Sequence, residues 1–164
     1  MIPYTRTSRD DTKVYLGGPA RAPYGTRHMS KERVVSVVDD DESVREAVEG
    51  LLRSVGLQVA TFSSAEEFLG SRGPQRTGCL VLDLTLPCMA GTELQRRLAR
   101  DGHRTPIVIV TARDDEETRV RALGAGAAGF LTKPFDGGVL LSVVQSALAY
   151  RDGKRTGPRG RRSK

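Results

Sequence analysis

The 164-residue chain is predicted to fold as a doubly wound α/β domain, a five-stranded parallel sheet with helices on both faces. Three observations predict it. Five short runs of strand-forming residues alternate with five helical stripes over about 120 residues, the signature of consecutive strand–helix–strand units. The strand runs are nearly continuous in apolar residues, as strands covered on both faces are. Polar residues stand where four of the five runs end, the edge at which such folds hold ligands.

Val34–Val38 is the first strand, an almost unbroken β-branched run ending in Asp39-Asp40-Asp41-Glu42. A helix follows, with Val44, Ala47, Val48, Leu51, Leu52 and Val55 on one stripe and Gly56 as its stop. Residues 57–62 form the second strand. Ser63 and Glu66 have capping-box spacing and open a short helix through Phe68 and Leu69. The apolar run from Cys79 to Leu82 closes on a single carboxylate, and Leu80 to Asp83 is the third strand, before a loop with Pro87 and Gly91. A helix over 92–100 turns Leu94 and Leu98 inward. Pro106–Thr111 is the fourth strand, 114–123 a charged and weakly apolar helix, and Gly129–Thr132 the fifth strand. Val139, Leu140, Val143, Val144, Ala147 and Leu148 form the stripe of a last helix. The assigned strand order is 2-1-3-4-5, flavodoxin-like, which makes the first and third strands neighbours.

Domain boundaries follow from composition. Residues 1–32 are expected to be a disordered extension, or one added by a mis-called start, because Met29 looks like a natural domain beginning and the Gly, Pro, Arg and Thr before it show no strand or helix period. Residues 33–150 form the folded domain, and 151–164 a basic disordered tail. The net charge of +6 sits in the ends: residues 29–150 carry fourteen Lys/Arg against seventeen Asp/Glu. The basicity is therefore weak support for a nucleic-acid partner, and none is expected for this chain. Cys79 and Cys88 match no zinc or redox spacing. No run approaches the roughly 18 apolar residues of a membrane span, and no signal-peptide core is present in residues 1–29. The expected location is the cytoplasm, with no membrane partner.

The strand-end residues suggest a chemistry. Asp39, Asp40 and Asp83 come from two neighbouring strands, and three carboxylates in one crevice repel unless a cation joins them. Mg²⁺ suits such a site, since it takes oxygen ligands and keeps waters or phosphate oxygens in its octahedron. A carboxylate that attacks a phosphoryl group needs a cation of this kind because both partners are anions. Lys133 would add a point charge and Thr111 a hydroxyl hydrogen bond to the phosphate oxygens. The Lys133-Pro134 bond is a candidate cis peptide that would aim the lysine into the crevice. Singly, each residue has an ordinary reading: a helix-capping acid, a strand-ending threonine, a solvated loop lysine. Together, and in order, they specify a pocket.

These residues carry a resemblance. Asp39-Asp40, the stretch from Asp83 to Gly91, Val110-Thr111-Ala112, and Phe130-Leu131-Thr132-Lys133-Pro134-Phe135 occur in the order and spacing of a response-regulator receiver domain of two-component signalling. The match covers 33–150 and is most similar to the nitrogen-fixation regulator type. The resemblance implies that Asp83 accepts a phosphoryl group from a sensor histidine kinase or phosphotransfer protein. It implies Mg²⁺ held by Asp40, Asp83 and the Thr85 backbone carbonyl, with Asp39 acting through water. Thr111, Lys133 and the Ala112 backbone would bind phosphate, and Thr111 and Phe130 would form the switch. A phosphorylation-dependent homodimer through the last two strands and helices is a further implied partner. The expected chemistry is self-phosphoryl transfer and autodephosphorylation, not turnover of an external substrate. Two rival readings are a truncated receiver part of a helix-turn-helix DNA-binding transcription regulator, and an aspartyl-nucleophile phosphatase. The phosphatase needs a second acid two residues after its nucleophile, where this chain has Thr85.

Overall fold

The computed structural model describes residues 14–16 and 34–155. Strands β1 (Val14–Leu16), β2 (Val34–Val38), β3 (Gln58–Phe62), β4 (Thr77–Leu82), β5 (Ile107–Thr111) and β6 (Gly129–Thr132) alternate with helices α1 (Glu42–Ser54), α2 (Ala65–Gly70), α3 (Gly73–Arg76), α4 (Gly91–Arg100), α5 (Glu116–Gly124) and α6 (Gly137–Arg155). The sheet order is β1-β6-β5-β4-β2-β3. From β2 to β6 every pair is parallel, and these five strands have the predicted 2-1-3-4-5 order.

Side chains alternate across the sheet and build two cores. Val35, Val37, Cys79, Val81, Val108, Val110 and Leu131 point to the face covered by α1 and α6, where they meet Val48, Leu52, Leu140 and Val144. Val38, Leu80, Leu82, Ile107, Ile109 and Phe130 point to the opposite face, against Phe68, Leu94, Leu98 and Ala122. Period-two alternation in strands buried on both sides explains why the runs look continuously apolar.

Four findings depart from the sequence reading. First, residues 14–16 of the supposed disordered extension are a strand, paired antiparallel to β6. They precede Met29, so a chain starting there would lack them. Second, α6 runs to Arg155, so its backbone continues past the predicted boundary at Tyr150. Third, α3 was not foreseen; Pro74 near its start fits a first-turn position that needs no N–H. Fourth, the cap of α2 falls one residue later than predicted. Ser64 Oγ accepts from the Glu67 N–H at 3.0 Å, and the Glu67 carboxylate accepts from the Ser63 N–H and hydroxyl at 2.7 and 2.8 Å.

One buried polar contact ties together the two strands that carry the acids. Ser36 Oγ lies 2.7 Å from Thr77 Oγ1, and the Thr77 hydroxyl donates to the Gly73 carbonyl, so Ser36 is the donor to Thr77. Thr77→Val would leave the buried Ser36 hydroxyl without that acceptor, at a cost of about 1–3 kcal/mol. We expect urea unfolding to show this loss, and Ser36→Ala placed on top of Thr77→Val to recover part of it. Equal stability of Thr77→Val and the unaltered chain would show that the contact is dispensable.

Candidate functional site

The carboxyl ends of β2 and β4 lie side by side, with Val38 beside Leu82. The residues that follow these strands therefore share one crevice. Asp39 and Asp83 are buried there and Asp40 is exposed, and one carboxylate oxygen from each of the three lies within 4.8 Å of the others. Lys133, just past β6, reaches across: its Nζ is 2.6 Å from Asp39 Oδ2 and 3.1 Å from Asp83 Oδ2. The Lys133–Pro134 peptide is cis.

Main-chain donors orient the acids. The Thr85 N–H donates to Asp83 Oδ1 at 2.9 Å, and the Asp41 N–H to Asp39 Oδ1 at 2.9 Å. Arg45 Nη1 donates to the Asp39 carbonyl at 2.8 Å, holding the β2 exit against α1. Asp41 itself caps α1 through the Ser43 and Val44 N–H groups.

Burial pushes the Asp39 carboxyl above its ordinary range; the Lys133 and Asp41 hydrogen bonds and the lysine charge pull it back, while the Asp83 charge adds to the rise. For Lys133 the balance falls the other way. Burial lowers the ammonium, but hydrogen bonds and charge from Asp39 and Asp83 outweigh it and hold it above its ordinary value. The crevice thus has one firmly charged cation facing three acids. Oxygen donors in excess of the available positive charge are what a hard divalent cation fits.

The remaining predicted residues lie around this centre. Thr111 closes β5, fully buried, and its Oγ1 accepts from the Arg113 N–H at 3.3 Å. A threonine hydroxyl that accepts here still has its proton to donate. The Thr111 carbonyl accepts from the Lys133 N–H at 2.8 Å, so backbone pairing links the two phosphate-binding candidates. Ala112 and Thr85 are exposed beside the crevice. Phe130 is not in the crevice: it is fully buried in the core that includes Leu94 and Ala122.

Three residues make contacts or take a conformation that the sequence reading does not assign to them. Gly91 opens α4 against the backbone of Asp83 and Leu84, so close that a Cβ would sit 2.3 Å from the Asp83 carbonyl oxygen. Glu66, assigned to a cap, instead accepts from the Met89 N–H at 3.0 Å and ties α2 to the loop after Asp83. Cys88, in that loop, has φ +63°, a left-handed conformation that costs a non-glycine residue about 1–2 kcal/mol. The Glu66 contact and the packing of Leu86 and Met89 on the core help hold the loop in this form.

Residues 35–145 match the response regulator receiver domain family. The chain belongs to this family. Over 125 residues this receiver domain is 44% identical to the response regulator protein TmoT of Ectopseudomonas mendocina, covering 76% of this chain and 57% of TmoT. Over 120 residues it is 38% identical to the transcriptional regulatory protein FixJ of Azorhizobium caulinodans, covering 73% of this chain and 57% of FixJ. The low-resolution structure of the response regulator StyR superposes with a TM-score of 0.71 at 46% identity, over 76% of this chain and 63% of that one. The receiver domain here thus spans under three-fifths of the length of these two curated relatives. Among the described residues no helix is long and apolar enough to cross a membrane.

Proposed function

We propose that this receiver domain is a cytoplasmic phospho-acceptor switch in which Asp83 takes a phosphoryl group from a sensor histidine kinase or phosphotransfer protein. The observation that carries the proposal is the convergence of Asp39, Asp40, Asp83 and Lys133 in one crevice.

An Asp83 carboxylate oxygen attacks phosphorus. The O–P bond forms, the P–N bond to the donor histidine breaks, and the imidazole nitrogen leaves with the electron pair. The Thr85 N–H and Lys133 fix the direction of the carboxylate, so little reorganisation precedes attack. Lys133 exchanges part of its contact with Asp83 for a phosphate oxygen. The Thr111 hydroxyl and the Ala112 N–H take other phosphate oxygens. Asp40, Asp83 and the Thr85 carbonyl, with Asp39 through water, would hold Mg²⁺, which supplies charge neutralisation between the two anions. Attack of water on the acyl phosphate returns the Asp83 carboxylate and releases phosphate, so the domain also resets itself.

Movement of Thr111 toward the phosphate would alter β5 and β6, and with them the packing of Phe130. A homodimer through the last two strands and helices is the proposed output of this change. Two of the three exposed large apolar side chains among the described residues, Val120 and Tyr150, lie on α5 and α6, the helices on either side of β6.

Incubation with a small phosphodonor and Mg²⁺ should add the mass of one phosphoryl group, removed again by hydroxylamine, and Asp83→Asn should show no adduct. An unmodified wild-type protein under these conditions would defeat the proposal. A second reading, a receiver part of a DNA-binding transcription regulator, is favoured by the name of FixJ and by the length of the relatives beyond the matched region. The downstream reading frame decides it. The aspartyl phosphatase reading lacks its general acid, because Thr85 occupies that position and donates its N–H to Asp83.

A further inference from the structure

Strand β1 covers the outer edge of β6 in the register Val14 to Leu131, Tyr15 to Phe130 and Leu16 to Gly129. The Lys133 N–H faces β5, where it donates to the Thr111 carbonyl. Amides alternate along a strand, so those of Leu131 and Gly129 also face β5, and those of Phe130 and Thr132 face the opposite edge, which β1 covers. Tyr15 and Phe130 are therefore the pair that exchanges main-chain hydrogen bonds. The element that carries the buried aromatic and leads into Lys133 is held from both sides.

The same chain can close this contact. β1 runs antiparallel to β6, so Leu16 ends beside Gly129, at the edge of the sheet where β2 also begins. Four strand spacings separate β1 from β2, about 19 Å. The 17 residues from 17 to 33 can reach roughly 60 Å when extended. Pairing of residues 14–16 with β6 of the same chain is intramolecular, whereas a second copy must be drawn from solution.

An uncovered strand edge accepts any extended segment that presents free amides and carbonyls. Here the edge is the centre of the surface formed by α5, β6 and α6. We propose that residues 14–16 are a built-in cap of the β6 edge that competes with a second copy of the chain for that surface. The competition rests on the homodimer reading above; the cap itself does not.

Tyr15→Pro in the full chain tests both. Proline removes the N–H that faces Phe130 and cannot hold the pairing. Hydrogen exchange should show the Phe130 and Thr132 amides protected in the unaltered protein and exchanging about tenfold faster in the variant. With beryllofluoride and Mg²⁺, sedimentation should show the variant dimerising about tenfold more tightly. Ala20→Pro, outside the strand, should change neither. Equal exchange at Phe130 in both proteins overturns the cap. Faster exchange with equal dimer affinity overturns the competition. If neither protein dimerises, the homodimer reading falls and the competition with it, while exchange alone decides the cap.

Discussion

Gly91→Ala should lower both the stability of the domain and the rate of Asp83 phosphorylation. The added Cβ would lie 2.3 Å from the Asp83 carbonyl oxygen, 2.8 Å from the Leu84 Cα and 3.1 Å from the Asp83 carbonyl carbon. All three are backbone atoms, so no side-chain rotation relieves the clash. Either the start of α4 moves away or the end of β4 does. The Gly91 N–H to Leu84 carbonyl bond, at 3.2 Å, joins the same two segments and resists their separation. Overpacking of this kind costs about 1–3 kcal/mol, toward the upper end where backbone must shift. A displacement of about 1 Å at a reacting group can lower its rate by about 10²-fold. The expected result is a lower urea midpoint together with phosphorylation by a small phosphodonor slowed by one to two orders of magnitude.

Gly50→Ala gives the contrast. Gly50 is exposed inside α1 and has nothing within 4 Å of an added Cβ, so alanine there should stabilise by about 0.5–1 kcal/mol and leave phosphorylation unchanged. A Gly91→Ala protein that accepts phosphate at the wild-type rate would show that α4 does not position the acceptor.

Gly91 also shows where sequence reasoning stops. In the sequence it marks only the loop that follows Asp83 and precedes a helical stripe. Its actual constraint is closeness to a backbone eight residues earlier, and no periodicity reports that. The α2 cap failed for another reason: Ser63-Ser64 and Glu66-Glu67 are two adjacent pairs of equivalent residues, so the capping spacing fits two registers equally. β1 has no period of its own. Val14-Tyr15-Leu16 is β-prone, but three residues form a strand only when a long-range partner supplies the hydrogen bonds. The parallel strands were readable because burial on both faces makes each a dense apolar run, and the end of each run marks the site edge. That is why Asp39, Asp83, Thr111 and Lys133 could be named from the sequence. Their convergence was not contained in any local pattern; it follows from β2 and β4 being neighbours and from Lys133 reaching across two strands.

Lys133→Met is expected to have the other large effect, with a dependence on pH that identifies its cause. Methionine keeps an unbranched apolar stem but removes the charge that lies 2.6 Å from Asp39 and 3.1 Å from Asp83. Two buried carboxylates would then face each other with Asp40 nearby. Removing one partner of a buried ion pair costs about 3–5 kcal/mol, and the partial exposure of the lysine head reduces this to roughly 2–3 kcal/mol through solvent screening. The sign follows from proton linkage. Burial already raises the Asp39 carboxyl, and loss of Lys133 raises it further. A carboxyl raised in the fold holds a proton that the unfolded chain releases, so stability falls as pH climbs through that window and returns on acidification. The stabilisation by Lys133 in the unaltered chain is complete below its ordinary value near 10.5 and is lost as pH rises through its raised value in the fold. The stability difference between the two proteins should therefore be widest near neutral pH and should narrow at both ends. Mg²⁺ should recover more of the variant's stability than of the wild type's, because a second cation restores the missing charge, and chelation should reverse the gain. A difference that stays constant from neutral pH down to about pH 4 would instead assign the loss to packing of the lysine stem. Neutralising the resting acids and receiving phosphate draw on the same ammonium, so the variant should lose phosphorylation even where acid restores its stability.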